Sequence, residues 1–298
     1  MSVPASLVDP AAERTRIGDG FWFTEGPAWD PTRQELTFSD IPRDQRWCWS
    51  ERDGLRLVES PTFKGNGLVW EDDGGLLVCE QVSSCVTRIT PDARREVVAF
   101  HIGGKYLNSP NDIIVRSDGL IYFTDPNFGR WDGPFGLGRA YDLDHQGVYR
   151  MRRDGSELTL VSAQAEFEQP NGLCFSPDES ILYVNDSPRG EVKAYDVAAD
   201  GSLSNVRLLR GGLGDGVIAH GTPDGMKCDE DGNVWTSGPG GILVIAPGGE
   251  LLGTIEFEEV VGSLTWGGED LRTLFACASD VVYAMPTVVA GATLPGRR

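Results

Sequence analysis

Short apolar runs rich in aromatic and β-branched residues recur along the chain, separated by turn-forming residues, a pattern that predicts β-hairpins. One hairpin is read as a strand at 171–176, a turn at Pro177-Asp178-Glu179 and a returning strand at 181–184. The same arrangement occurs six times, starting at Glu25-Gly-Pro-Ala-Trp29, Asn66-Gly-Leu-Val-Trp70, Asn111-Asp-Ile-Ile-Val115, Asn171, Asp224-Gly-Met-Lys-Cys228 and Gly262-Ser-Leu-Thr-Trp266. The first five hairpins are each followed by a second one, predicted at 47–58, 85–100, 148–161, 192–209 and 242–255. A repeat of this size built from four strands is a propeller blade. The expectation is all-β: one domain over 1–298, a six-bladed β-propeller with four antiparallel strands per blade. The sixth repeat runs through a third strand at 281–285 and stops at Pro286. An open ring would expose two strand edges, so a strand around 14–17 is predicted to complete the last blade, with the Val288-Val289 tail as the competing donor.

Hairpin starts are spaced by 41, 45, 60, 53 and 38 residues. The long interval carries an insertion at 126–141 with Phe128, Trp131, Phe135 and Tyr141, read as a partly packed lid over a pocket. Other bulk features narrow the function. A net charge of -19 argues against nucleic acid as a partner. Residues 1–20 hold no apolar core of signal-peptide length, and no run is long enough to span a membrane. No membrane association and a cytoplasmic location are therefore expected. The six cysteines show no CxxC pair, and buried free thiols are expected.

Propeller geometry gives the repeat its chemistry. The first strand of every blade lines the channel in one direction, so the six first residues form a ring at one mouth. They are Glu25, Asn66, Asn111, Asn171, Asp224 and Gly262, five with a side-chain oxygen. Asn-Gly and Asp-Gly are also ordinary turn signals, but a turn alone does not demand an acid or amide at the same register in five repeats. Two carboxylates and several amide oxygens on one axis suit a hard divalent cation. Second-strand ends return Asp40, Glu80, Asp125, Asp186 and Ser237 to that mouth, where the acids are expected to orient the ligands through hydrogen bonds and hold solvent. His101, His145 and His220 are scattered, and no G-x-S-x-G elbow is present.

The segments Glu25-Gly-Pro-Ala-Trp29, Ser109-Pro-Asn-Asp112, Phe123-Thr-Asp-Pro126, Pro170-Asn-Gly172 and Pro223-Asp-Gly-Met226 resemble the family that joins senescence marker protein, gluconolactonase and luciferin-regenerating enzyme. The resemblance runs from about 18 to 285 and is nearest the bacterial gluconolactonase branch. It implies a lactonase with one divalent cation, usually Ca²⁺ and in some members Zn²⁺, Mg²⁺ or Mn²⁺. It further implies Glu25, Asn171 and Asp224 as ligands and Asn111 as a contact to metal or substrate. Some animal members carry an arginine two residues before that asparagine; here the position is Ser109, so their sugar contacts do not transfer. The resulting expectation is an aldonolactone hydrolase in which Asp224, or a water it holds, supplies the base or nucleophile. Asn66 and Asn111 would orient hydroxyls, Asp112 would support them, and Phe128 and Trp131 would cover the ring. Hydrolysis of other esters or phosphotriesters, or a non-catalytic propeller with a structural metal and a protein-binding face, are the alternatives. Oligomeric state is left open.

Overall fold

Inner strands of this chain are buried on both faces, while outer strands alternate or face solvent. Thr24–Asp30 and Glu35–Asp40 are buried at every residue, whereas Gly54–Glu59, last in the same sheet, is largely exposed. A strand buried on both faces needs a covering layer on each side, and neighbouring blades supply both. In the computed structural model, which describes residues 3–163 and 165–293, six four-stranded antiparallel sheets form a six-bladed β-propeller. Five blades are simple meanders that begin at Thr24–Asp30, Gly65–Trp70, Ile113–Val115, Pro170–Phe175 and Met226–Cys228. The sixth is built from Val261–Gly267, Thr273–Ala278 and Val281–Pro286, and its outer strand comes from the other end of the chain. Thr15–Asp19 pairs antiparallel with Val281–Pro286, placing Arg16 opposite Tyr283. The competing donor is engaged elsewhere: the Val288 amide donates to the Leu7 carbonyl at 2.9 Å.

Six apolar clusters hold the ring, one between each pair of neighbouring blades. Fully buried Trp235, Tyr122, Tyr149 and Phe123 sit in them. Each such side chain contributes about 1.5–3 kcal/mol through burial. All six cysteines are buried free thiols. A short hairpin, His101–Ile102 with Lys105–Tyr106, lies between the second and third blades and was not foreshadowed by the repeat. Among the described residues, no helix is long and apolar enough to cross a membrane.

The channel carries a cavity near each mouth. The larger, about 350 Å³, is lined by the far ends of the inner strands, including Trp29, Leu68, Trp70, Ile113 and Lys227. Its acids, Asp178 and Glu179, are already hydrogen-bonded to nearby serines. The smaller, about 50 Å³, lies where the inner strands begin, and there the polar residues converge.

Candidate active site

Four of the inner strands are irregular where they start. Their pairing register slips between Glu25 and Ala28, Gly65 and Leu68, Pro170 and Leu173, and Val261 and Ser263. Such bulges re-aim a side chain beside an active site, and three of them fall at the ring residues Glu25, Asn66 and Asn171. A glycine follows four of the ring residues, Glu25, Asn66, Asn171 and Asp224, and makes a close approach possible there. A Cβ on Gly26 would lie 2.0 Å from the Asn66 carbonyl oxygen, one on Gly67 2.5 Å from that of Asn111, and one on Gly172 2.0 Å from that of Asp224. The Asn-Gly and Asp-Gly pairs are therefore contacts between successive blades and not turns. Gly67 and Gly225 donate amide hydrogen bonds of 2.8 Å to the Asn111 and Gly262 carbonyls of the next blade.

Glu25, Asn66, Asn111, Asn171 and Asp224 all line the rim cavity. Glu25 Oε2 accepts a 2.7 Å hydrogen bond from the Gly26 amide, while the buried Oε1 has no partner. The Asn171 amide is fixed by its neighbours. Ser187 Oγ donates to the Pro223 carbonyl at 2.6 Å, so its lone pair receives Asn171 Nδ2 at 3.0 Å. That leaves Asn171 Oδ1 buried and unpartnered. Asp224 is held from behind, where its amide donates to Ser237 Oγ at 3.1 Å.

Burial, then the charge of Asp224, raises the Glu25 carboxyl well above the usual carboxylate range. Burial and the charge of Asp112 raise that of Asp224. Two unpartnered acceptor oxygens beside two carboxylates that resist ionisation form a donor set short of positive charge. Glu25, Asn171, Asp224 and Asn111 thus have the chemistry to hold a hard, oxygen-seeking divalent cation. Among the described residues no three His, Cys, Asp or Glu side chains group as a metal site; here two of the four donors are amides.

Several expected site residues lie elsewhere. Asp112 is buried below the cavity wall, where its carboxylate accepts the Ile113 and Leu173 amides at 2.9 and 3.2 Å. It acts on the site by charge, through Asp224 and Glu25. Trp131 is exposed and donates to the Tyr141 hydroxyl at 3.1 Å; of the two aromatic residues assigned to substrate, only Phe128 lines the cavity. The second-strand acids do not orient the ring residues. Asp40 accepts the Trp22 and Phe23 amides, Asp125 that of Asn108 and Asp186 that of Glu168, so each clamps the segment entering its inner strand. Glu80 instead pairs with Arg95 and Thr87. Successive side chains of a strand face opposite ways, and for three of the four acids, Asp40, Glu80 and Asp186, it is the next residue, Ile41, Gln81 or Ser187, that reaches the cavity. The repeat register could have located them one position further on.

The 126–141 insertion packs over the site. Arg130 is buried and its guanidinium donates to the Leu107, Asn108 and Ala140 carbonyls, while Arg139 donates to Ser84 Oγ at 2.8 Å. Phe135 meets Phe23 edge-on at 5.2 Å, and both rings line the cavity with Phe128. The result is a polar floor under an aromatic roof. None of the three histidines lines it, and His220 is exposed beside Asp215.

The chain is 32% identical to a gluconolactonase from Zymomonas mobilis over 96% of its own length and 84% of that protein's. It is 26% identical to a pentonolactonase from Haloferax volcanii, covering 84% and 79% of the two chains. The solved structure of a gluconolactonase from Xanthomonas campestris superposes with a TM-score of 0.86 at 31% identity, covering 96% of this chain and 94% of that one. Residues 23–279 match the SMP-30/Gluconolactonase/LRE-like family, and with that span and these relatives the chain belongs to it.

Proposed function

We propose that this protein is a divalent-cation-dependent hydrolase that opens sugar lactones to the corresponding hydroxy acids, with Ca²⁺ as the ion that best suits an all-oxygen donor set. The observation that carries the reading is the convergence of Glu25 Oε1 and Asn171 Oδ1, both buried without partners, with Asp224 in one rim cavity. Glu25, Asn171, Asp224 and Asn111 would hold the cation. When bound, the cation supplies Lewis-acid polarisation of the lactone carbonyl.

The residues do the rest. Asp224 accepts the proton of the attacking water. Water adds to the ring carbonyl, the bond to the ring oxygen breaks, and that oxygen takes the proton from Asp224 and leaves as a hydroxyl. Asn66 and Asn111 face the same space and orient the sugar hydroxyls. Phe23, Phe128 and Phe135 cover the ring and limit its size. A cyclic ester needs no covalent nucleophile, in keeping with a cavity wall that carries no histidine or cysteine. The lactonase relatives support the substrate class.

The test is a pH-stat assay on glucono-, galactono-, xylono- and arabinonolactones after chelation and re-metallation. Re-metallated protein is expected to turn over at least one of them, and Asp224→Asn to lose ~100-fold or more with its fold retained. Equal rates before and after metal removal, or full turnover in Asp224→Asn, would sink the reading.

A further inference from the structure

Three oxygens in the wall of the rim cavity are buried and accept no hydrogen bond: Glu25 Oε1, Asn171 Oδ1 and Gln81 Oε1. Glu25 and Asn171 come from the starts of inner strands and belong to the proposed cation set. Gln81 has a different origin. It follows the second strand of its blade, Leu76–Glu80, and is 1% exposed. Its own amide donates to the Lys64 carbonyl at 3.2 Å, and its carbonyl accepts the Ser84 amide at 3.4 Å. The lid presses on its stem: a Cβ at Gly129 would lie 2.6 Å from Gln81 Cβ. Gln81 therefore stands where the lid meets the cavity wall, beside Phe128, with its backbone fixed and its amide oxygen unsatisfied.

An acceptor left without a donor in a buried wall calls for a donor on the ligand. A lactone carbonyl and its ring oxygen only accept; a ring hydroxyl donates. We infer that Gln81 is a specificity-determining residue, whose amide oxygen accepts a hydrogen bond from a ring hydroxyl and so selects hydroxylated over bare lactones. This rests on the lactonase reading above and adds to it the group that recognises the sugar. A site built around such a bond discriminates against a substrate that lacks the hydroxyl, because the buried acceptor is then left unpaired.

The experiment compares Ca²⁺-loaded wild type with Gln81→Met, which keeps the length of the side chain and removes the amide, on glucono-δ-lactone and on δ-valerolactone. The expected result is a preference for the hydroxylated ring in wild type, and a loss of about 10-fold or more in kcat/KM on that substrate in the variant. Turnover of δ-valerolactone should stay within about twofold, and Ca²⁺ affinity by calorimetry should not change. Gln81→Leu guards against a defect peculiar to the methionine. A series of monodeoxy-lactones then names the partner, as the hydroxyl whose removal costs wild type but no longer costs the variants. An unchanged ratio, an equal loss on both substrates, or weakened Ca²⁺ binding would each overturn the assignment. Where glucono-δ-lactone is not opened, the comparison uses whichever of the four aldonolactones above wild type does open; wild type that opens none of them overturns the lactonase reading itself, and this inference with it.

Discussion

Gly262 is the one ring residue without a side-chain oxygen, and space explains it. A Cβ there would lie 2.5 Å from Glu25 Oε1 and 3.0 Å from the Phe23 ring. The bare position is what lets the unpartnered Glu25 oxygen occupy the rim. Gly262→Ala is expected to displace that carboxylate, lowering lactone turnover about 100-fold and weakening cation binding in calorimetry, with the melting temperature little changed. Asp125 gives a second prediction at this scale, in stability. Burial pushes its carboxyl up to about 7, and one of its oxygens has no partner. Between the unfolded value near 3.8 and about 7 the folded protein binds the extra proton. The stability from this group is therefore full below that window and lost as pH rises through it. Asp125→Asn keeps an acceptor for the Asn108 amide and cannot ionise. Denaturant melts at pH 4 to 8 should show the variant gaining on wild type as pH rises, by roughly 2–4 kcal/mol at the top of the range. A constant difference across that range would refute it.

At the scale of elements, the hairpins were legible because their cause is local: apolar alternation broken by turn residues survives in sequence. Thus Cys85–Ile89 is found where its run predicts, and Thr15–Asp19 closes the ring as the missing outer strand requires. The ring of Glu25, Asn66, Asn111, Asn171 and Asp224 in one wall was legible for the same reason, since repeat register fixes position. Contacts between blades were not. Nothing local says that Gly172 abuts the Asp224 carbonyl, or that Asp40 and Asp186 clamp the segments entering their blades. The lid was half legible: its aromatic residues marked it, but its anchor is Arg130, whose partners are carbonyls 10 to 23 residues away. Arg130→Ala leaves those carbonyls without their donor in a buried place. The loop at 126–141 should then become a site of limited proteolysis, and KM should rise several-fold while cation affinity holds. A protease-resistant loop in that variant would mean the aromatic packing alone secures it.

For the whole molecule, the decisive bond is between its two ends. Every other blade is continuous in sequence, so only the sixth can come apart without a meander unfolding. Thr15–Asp19 supplies the backbone ladder to Val281–Pro286, Arg14 lies 4.1 Å over the Phe257 ring, and Leu7 is buried in the cluster between the fifth and sixth blades. Thr24 Oγ1 adds a 3.0 Å hydrogen bond to the Ser279 carbonyl beside the seam. A chain beginning at Phe21 forfeits the ladder and the Leu7 anchor but keeps Thr24 and all six inner strands. The shortened chain loses backbone bonds worth about 0.5–1.5 kcal/mol each and the burial of Leu7, worth about 1.5–3 kcal/mol. The shortened protein should therefore fold, melt about 5–10 °C lower, and associate at high concentration through the bared Val281–Pro286 edge. A synthetic peptide of residues 3–20 should restore the melting temperature and suppress association, because the missing strand joins by pairing and not by a covalent constraint. A truncated protein that stays monomeric and melts with the full chain would show that the seam is closed without that strand.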